Sequence, residues 1–425
     1  MSLCGYRCGG LALLLGVLGL SLLGAGIATR TLAAAGTAPA ASTPATVERG
    51  KYLVTLGDCE ACHTQPGQPA FSGGRPLPTP YGVFYPPNLT PDRATGIGNW
   101  TEQEFYRALH DGVRPDGAYL YPAFPFPSFT HLTRADVDAI WAYLRRVPAA
   151  SKVNTPNRLH WPYSTRGLMK VWRALYFKPG TFKPDPKQSP AWNRGAYLVT
   201  GIAHCGACHT PRSRLGALTA SQALAGGTIT VAGWRAPNIS QNAAHGIGAW
   251  TAADLRDFLH AGRSPKGDAI GPMRDVVQSA LQHLTDSDLD AIVTYIKSAP
   301  ARPDVVGNAM PQFGLEMAPA TQASAKKLYH EECAGCHGDD GLGKRPYPDL
   351  RGNPIVLSRD PDDMVMQILH GGFRASTAAS PYPYSMPPFG ARLTDEQISH
   401  IASYVRSSWG NDAPVVLPRQ VESLR

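Results

Sequence analysis

The 425-residue chain has no Lys- or Arg-rich run, no Gly-x-Gly-x-x-Gly fingerprint and, beyond residue 27, no apolar stretch long enough to span a bilayer. The first absence argues against nucleic acid as a partner, because such proteins neutralise phosphates with clustered cations. The second removes a dinucleotide-binding unit, since the Gly96/Gly98 pair stands alone. The third leaves the N-terminus as the one segment with a membrane address. Charge is missing from that end, where Arg7 and Arg30 are the only charged residues before Glu48. Cysteine is scarce, at eight residues, and methionine is absent from residue 64 to residue 168.

What is present suits a folded, multi-unit protein. At 43% hydrophobic the chain can bury proper cores, which excludes global disorder. Its 43 Gly and 39 Pro point to small domains rich in loops. At about 150 residues per domain the length suggests three of them. Arg7 precedes an apolar run from Leu11 to Ile27, and the small residues Ala33, Ala34 and Ala35 follow. This order predicts an export signal over residues 1–35. Seventeen apolar-leaning residues also lie near the lower limit for a bilayer span, so an uncleaved anchor is the rival reading. Loss of the leader's two arginines takes the formal charge from +8 to +6. Cys4 and Cys8 lie on the cytoplasmic side in either case, and no role is assigned to them.

The other six cysteines fall into three copies of one motif: Cys59-Glu-Ala-Cys62-His63, Cys205-Gly-Ala-Cys208-His209 and Cys333-Ala-Gly-Cys336-His337. Two thiols three residues apart on one helical turn match the two vinyl groups of a single haem, and the next residue offers an imidazole to the iron. Disulfide staples or redox dithiols would not place His after every pair. The cysteines are therefore candidate attachment points, and His63, His209 and His337 candidate iron ligands, for three covalently bound haem c groups. Covalent attachment takes place outside the cytoplasm, in agreement with the export signal. The haem propionates would bring the loaded protein close to neutral or mildly positive.

An internal repeat organises the chain. Arg49-Gly-Lys-Tyr-Leu-Val-Thr55 returns as Arg194-Gly-Ala-Tyr-Leu-Val-Thr200. Asn88-Leu-Thr with Gly96-Ile-Gly-Asn-Trp100-Thr101 returns as Asn238-Ile-Ser with Gly246-Ile-Gly-Ala-Trp250-Thr251. Thr133, Thr285 and Thr394 are predicted N-caps, with Asp136, Asp288 and Gln397 completing capping boxes. Each is followed by an apolar i, i+3, i+4, i+7 stripe, the first being Val137, Ile140, Trp141 and Leu144. The expected fold is mainly α, with three tandem class I cytochrome c domains over residues 46–148, 191–300 and 321–411. Proline-rich linkers fill 149–190 and 301–320. In the first linker, Leu168, Trp172, Leu175 and Tyr176 fit one side of a short helix, with Arg166, Lys170 and Arg173 elsewhere. That segment is either a basic amphipathic helix on the membrane surface or a helix wedged between the first two units.

A Met thioether opposite His makes the iron six-coordinate. Met386, in Ser385-Met-Pro-Pro-Phe389, and Met273, in Gly271-Pro-Met-Arg274, are the candidates in units three and two. Unit one reads Tyr121-Pro-Ala-Phe124-Pro-Phe126-Pro127, and Phe cannot bind iron. Three readings stay open there: an open or water-bearing iron, Met169 reaching back from the linker, or His110 or His131. The histidines look like scaffold, because His260 and His283 repeat their positions in a unit that has its own Met.

From about residue 46 to residue 410 the chain resembles the triple-haem cytochrome c subunits of membrane-bound alcohol dehydrogenases of acetic-acid-type bacteria. It is similar to the sister subunits of gluconate, sorbitol and fructose dehydrogenases as well. The three haem motifs, Asn88-Leu-Thr-Pro-Asp92 with Gly96-Ile-Gly-Asn-Trp100-Thr101, and Leu120-Tyr-Pro-Ala123 carry the resemblance. Where Phe124 stands, that family usually has Met. The resemblance implies an electron-transfer subunit on the periplasmic side of the inner membrane. It would take electrons from a quinoprotein or flavoprotein dehydrogenase subunit and pass them to ubiquinone or a terminal oxidase. The alternative is a peroxidase-like haem enzyme acting at an open first iron, which also requires nearby acid–base groups.

Overall fold

The computed structural model describes residues 42–227, 233–305, 316–344, 346–381 and 384–425; the expected leader over 1–35 lies outside these residues. The described chain is mainly helical with short strand pairs. The first unit holds α1 (Pro44–Leu56), α2 (Cys59–His63), α3 (Glu102–His110), α4 (Phe126–Phe129) and α5 (Arg134–Leu144). Its strands β1 (Leu77–Thr79) and β2 (Gly82–Phe84) form a hairpin, on which β3 (Arg158–Leu159) of the linker adds a third strand. Then come α6 (Leu168–Tyr176), α7 (Pro190–Thr200), α8 (Gly206–His209), α9 (Ala252–Ala261), α10 (Gly271–Ser279) and α11 (Asp286–Lys297), with the hairpin β4 (Arg263–Ser264) and β5 (Gly267–Asp268). The last unit contains α12 (Pro319–Glu332), α13 (Ala334–His337), α14 (Pro354–Leu357), α15 (Asp362–His370), α16 (Asp395–Ser407) and α17 (Pro418–Glu422). Its strands β6 (Gly372–Phe373) and β7 (Ser385–Met386) are paired.

In every unit the first helix packs on the last large one, α1 on α5, α7 on α11 and α12 on α16. The first two crossings bring backbones into contact. A Cβ on Gly50 would lie 1.8 Å from the Ala139 carbonyl oxygen, and one on Gly195 would lie 1.9 Å from that of Ala291. Glycine is therefore required for the close approach, at its known cost to helix stability. The three predicted caps are in place: Thr133, Thr285 and Thr394 each accept a hydrogen bond from the backbone N–H three residues on. Only Thr394, with Gln397, forms a complete box.

The other two boxes stay open because their carboxylates are used elsewhere. Asp136 accepts from Arg49 Nε at 2.7 Å and from the Tyr197 hydroxyl at 2.5 Å. Asp288 accepts from Arg194 Nε at 2.7 Å and from the Tyr52 hydroxyl at 2.8 Å. Each arginine belongs to the same unit as its aspartate, while each tyrosine reaches over from the other unit. The result is a reciprocal, pseudo-twofold joint between units one and two. Charge-assisted bonds of this kind outweigh the weaker bond to an exposed N-cap amide. The apolar cores of the two units are also continuous: Leu53, Leu132 and Ile140 belong to one buried cluster with Leu198, Ile202, Leu289 and Ile292. Each such side chain contributes about 1.5–3 kcal/mol on full burial. Unit three has its own core around Tyr329, Val365, Ile398 and Val405. It docks on unit two through polar contacts, the Arg235 N–H donating to Asp363 with its guanidinium 3.0 Å from Asp360, and through Ala375, which is buried in the core of units one and two.

The linker helix α6 has reversed polarity. Arg173 faces inward, with its guanidinium 4.6 Å from the Tyr119 ring centre and 4.8 Å from that of Phe177. Arg166 donates to the Tyr119 carbonyl at 2.7 Å. Trp172 packs on Phe126 of unit one and donates Nε1–H to the Leu215 carbonyl of unit two, so the helix bridges both. Leu168, Val171 and Leu175, an i, i+3, i+7 stripe, are left about half or more exposed. Among the described residues no helix is long and apolar enough to cross a membrane.

Candidate functional site

The three Cys-x-x-Cys-His segments form short helices that follow α1, α7 and α12. A left-handed residue immediately precedes the first cysteine in two of them, Asp58 at φ 48° and His204 at φ 36°. This conformation is uncommon for a non-glycine residue, and here it turns the chain sharply from the long helix into the motif. The two motifs adjoin: His204, next to Cys205, hydrogen-bonds to the carbonyl of Gly57, two residues before Cys59. The six thiols are not joined to one another. Burial pushes the Cys59, Cys205 and Cys333 thiols up to about 12. Arg75 and Arg212 brace the motifs from outside, donating to the carbonyls of Ala61 and Ala207.

The motif histidines share one arrangement. His63 Nδ1 bonds the Pro87 carbonyl at 2.8 Å, His209 Nδ1 that of Pro237 at 2.8 Å, and His337 Nδ1 that of Pro348 at 3.2 Å. A carbonyl only accepts, so Nδ1 carries the proton and Nε2 keeps its lone pair. Burial lowers all three imidazoles from their ordinary range, His63 to about 4, so they remain neutral at physiological pH. Paired unbridged thiols beside an imidazole with a free Nε2 lone pair are the donor set that covalent haem c needs. The proline carbonyls are part of the site that the motif spacing did not reveal. The signal was present: Pro87 and Pro237 stand immediately before the repeated Asn88-Leu-Thr and Asn238-Ile-Ser. The asparagines hold those loops, Asn88 donating to the Ala150 carbonyl and Asn238 to that of Arg302.

The sixth-ligand candidates occupy equivalent places in the three units. After α9 and the hairpin β4–β5 the chain delivers Met273 at the start of α10, half-buried against the shared core. After α15 and β6 it delivers Met386 on β7, against the third core, where Gln367 donates to its sulfur at 3.5 Å. After α3 and the Val113–Tyr119 bridge, unit one delivers Phe124, also against the shared core, with its ring 5.3 Å from that of Phe129. His110 is engaged with Asp111 at 2.8 Å and stacks on Tyr106. His131 donates from Nδ1 to the Thr200 carbonyl at 3.1 Å, a contact with unit two. Met169 is buried on α6, apart from both cores. No group of three or more His, Cys, Asp or Glu that could hold a separate metal ion occurs among the described residues.

Comparison with known proteins agrees with this geometry. The cytochrome c family profile matches three segments, residues 47–148, 193–300 and 322–409. The cytochrome c subunit of the quinone alcohol dehydrogenase of Gluconacetobacter polyoxogenes is 39% identical, over 90% of this chain and 84% of its own length. The gluconate 2-dehydrogenase cytochrome c subunit of Pantoea cypripedii is 37% identical over 93% of both chains. The fructose dehydrogenase cytochrome subunit of Gluconobacter japonicus is 37% identical over 91% of this chain and 84% of its own. The chain therefore belongs to the cytochrome c family, within the group of dehydrogenase cytochrome c subunits.

Proposed function

We propose that this chain carries three covalent haems, one per motif, and serves as the electron-transfer subunit of a dehydrogenase complex. The observation that carries the reading is the threefold repetition of one ligand arrangement: a Cys pair, then a His whose Nδ1–H is spent on a proline carbonyl. When bound, haem c supplies a one-electron iron couple. Cys59 and Cys62, Cys205 and Cys208, and Cys333 and Cys336 would hold the three groups through thioether bonds. His63, His209 and His337 would bind iron through Nε2, with Pro87, Pro237 and Pro348 fixing each ring's tautomer and orientation. Met273 and Met386 would supply the opposite ligands in units two and three, where a thioether raises the potential. Units one and two have adjoining motifs and a continuous core, which suits a relay better than a shuttle.

The electrons would come from a quinoprotein or flavoprotein dehydrogenase subunit, as the relatives' names suggest, and pass to ubiquinone or a terminal oxidase. Export to the periplasmic side of the inner membrane fits the apolar leader over 1–35. The outward stripe of Leu168, Val171 and Leu175 supports contact with the membrane surface. Trp161, 83% exposed, and Tyr176 flank it, and Lys170 and Lys178 are exposed beside it. An apolar stripe bordered by interfacial aromatics and lysines is the pattern of a helix lying on an anionic bilayer. A peroxidase-like activity has no comparable support, since loop 121–129 holds no carboxylate, imidazole or amine to move a proton.

The test is gentle detergent extraction of the tagged protein with mass spectrometry of what co-purifies, followed by reduction of the cytochrome with candidate substrates. A large dehydrogenase subunit in near-equal amount, with substrate-dependent haem reduction, is the expected result. A protein recovered alone from the soluble fraction would defeat the subunit reading.

A further inference from the structure

We propose that the first haem iron, held by His63, has no protein ligand in its sixth position and binds neutral diatomic molecules such as carbon monoxide or nitric oxide. The inference rests on the three-haem reading above and concerns unit one alone. Topology carries it first. In all three units a helix is followed by strand pairing or a bridge, and the chain delivers one side chain toward the core: Met273 after the β4–β5 pair, Met386 on the second strand of the β6–β7 pair and, in unit one, Phe124 after the Val113–Tyr119 bridge. A phenyl ring has no lone pair to give. The substitution is also built into the packing, because the Phe124 ring meets Phe129 edge-on at 5.3 Å and Phe129 in turn meets His204 at 5.6 Å. A tight turn from the Tyr121 carbonyl to the Phe124 N–H, at 3.0 Å, fixes its backbone.

The other donors near this part of the chain are matched by the repeat or set apart. Asp111 and the Thr200 carbonyl engage only Nδ1 of His110 and His131, but His260 and His283 repeat both positions in a unit that has its own Met, which marks the pair as scaffold. Met169 belongs to α6, which is tied down by Arg166 on the Tyr119 carbonyl and Trp172 on the Leu215 carbonyl, and it lies outside the core that Phe124 and Met273 share. The loop that carries Phe124 reads Tyr-Pro-Ala-Phe-Pro-Phe-Pro-Ser-Phe over 121–129. Such a lining excludes anions, whose desolvation it does not compensate, and admits small neutral molecules. Without an acid–base group on that loop, ligand binding and not peroxide cleavage is its expected chemistry.

The experiment uses the purified full-length, haem-loaded protein. Haem content is measured first, then low-temperature EPR of the oxidised form and carbon monoxide titration of the reduced form. One haem in three should be high-spin, and one carbon monoxide should bind per chain. Phe124→Met, which exchanges one large apolar side chain for another that carries a thioether, should abolish both signals and give three low-spin haems. Met169→Leu should leave both signals as they are. Three low-spin haems with no carbon monoxide bound in the wild type would overturn the inference, as would Met169→Leu creating a high-spin haem. Fewer than three haems in the first measurement would instead strike at the relay reading itself.

Discussion

Replacing Tyr197 with Phe removes one hydroxyl from the joint between the first two units and leaves the packed ring in place. That hydroxyl donates to Asp136 and accepts the Thr133 backbone N–H at 3.2 Å. The bond to a charged acceptor contributes about 1.5–3 kcal/mol, and the amide loses a partner worth about 1 kcal/mol. Asp136 keeps both bonds from Arg49, so no buried charge is orphaned. The net cost should be about 2 kcal/mol. Because units one and two share a continuous core, they should unfold together, and at about 2–4 °C per kcal/mol for a body of this size the transition should fall by about 4–8 °C. Thermal unfolding followed by Soret absorbance and tryptophan fluorescence reads this directly, with unit three giving a separate transition that does not move. Tyr52→Phe should act similarly, and the double variant should approach the sum, since the hydroxyls serve different carboxylates. The reasoning fails if Tyr197→Phe shifts the transition by less than about 1 °C, or if units one and two melt apart in the wild type.

Further predictions concern backbone contact, charge and the membrane. Gly195→Ala drives a Cβ into the Ala291 carbonyl; it should cost about 3 kcal/mol and sharply reduce haem loading at Cys205 and Cys208, read by peptide mapping. Burial works against the Asp288 carboxylate, but the bonds from Arg194 and Tyr52 more than offset it and hold its carboxyl below the usual range. This stabilisation is present above the unfolded value near 4 and is lost as pH falls through the lower folded value, so acid titration should loosen the joint of units one and two. Burial pushes Asp363 up to about 7, against the bond from the Arg235 N–H. The sign is reversed here: the carboxylate weakens unit-three docking increasingly as pH rises from about 4 to about 7. Asp363→Asn keeps an acceptor for Arg235 and should raise the unit-three transition at pH 8 while leaving it nearly unchanged at pH 4. Changing Leu168, Val171 and Leu175 together to Ser should cut co-sedimentation with anionic vesicles by about tenfold or more, with no change in the visible spectrum.

The parts of this molecule that were readable in advance are those written in local spacing. The Cys-x-x-Cys-His motifs, the capping threonines and the i, i+3, i+4, i+7 stripes depend on neighbours within a few residues, and all appear where expected. Asp136 and Asp288 show where local reading stops. Their spacing from the cap is right for a box, yet long-range partners at positions 49 and 194 and at 197 and 52 claim their oxygens. Arg and Tyr were both visible in the repeat Arg-Gly-x-Tyr-Leu-Val-Thr, but nothing local says that the tyrosine crosses to the other unit. The same holds for the fused core, because an apolar stripe does not specify which neighbour covers it. In α6 Arg173 found aromatic rings to stack on, a tertiary circumstance that accompanies the outward turn of Leu168 and Leu175 against the usual pattern.

Intact-mass measurement of the purified protein under denaturing conditions tests the central claim most directly, because only covalently attached groups survive it. The account predicts a mass increase of three haems for the wild type, and of two when Cys333 and Cys336 are both changed to Ala. A wild-type chain carrying two haems or fewer after expression with a working haem-attachment pathway would contradict it.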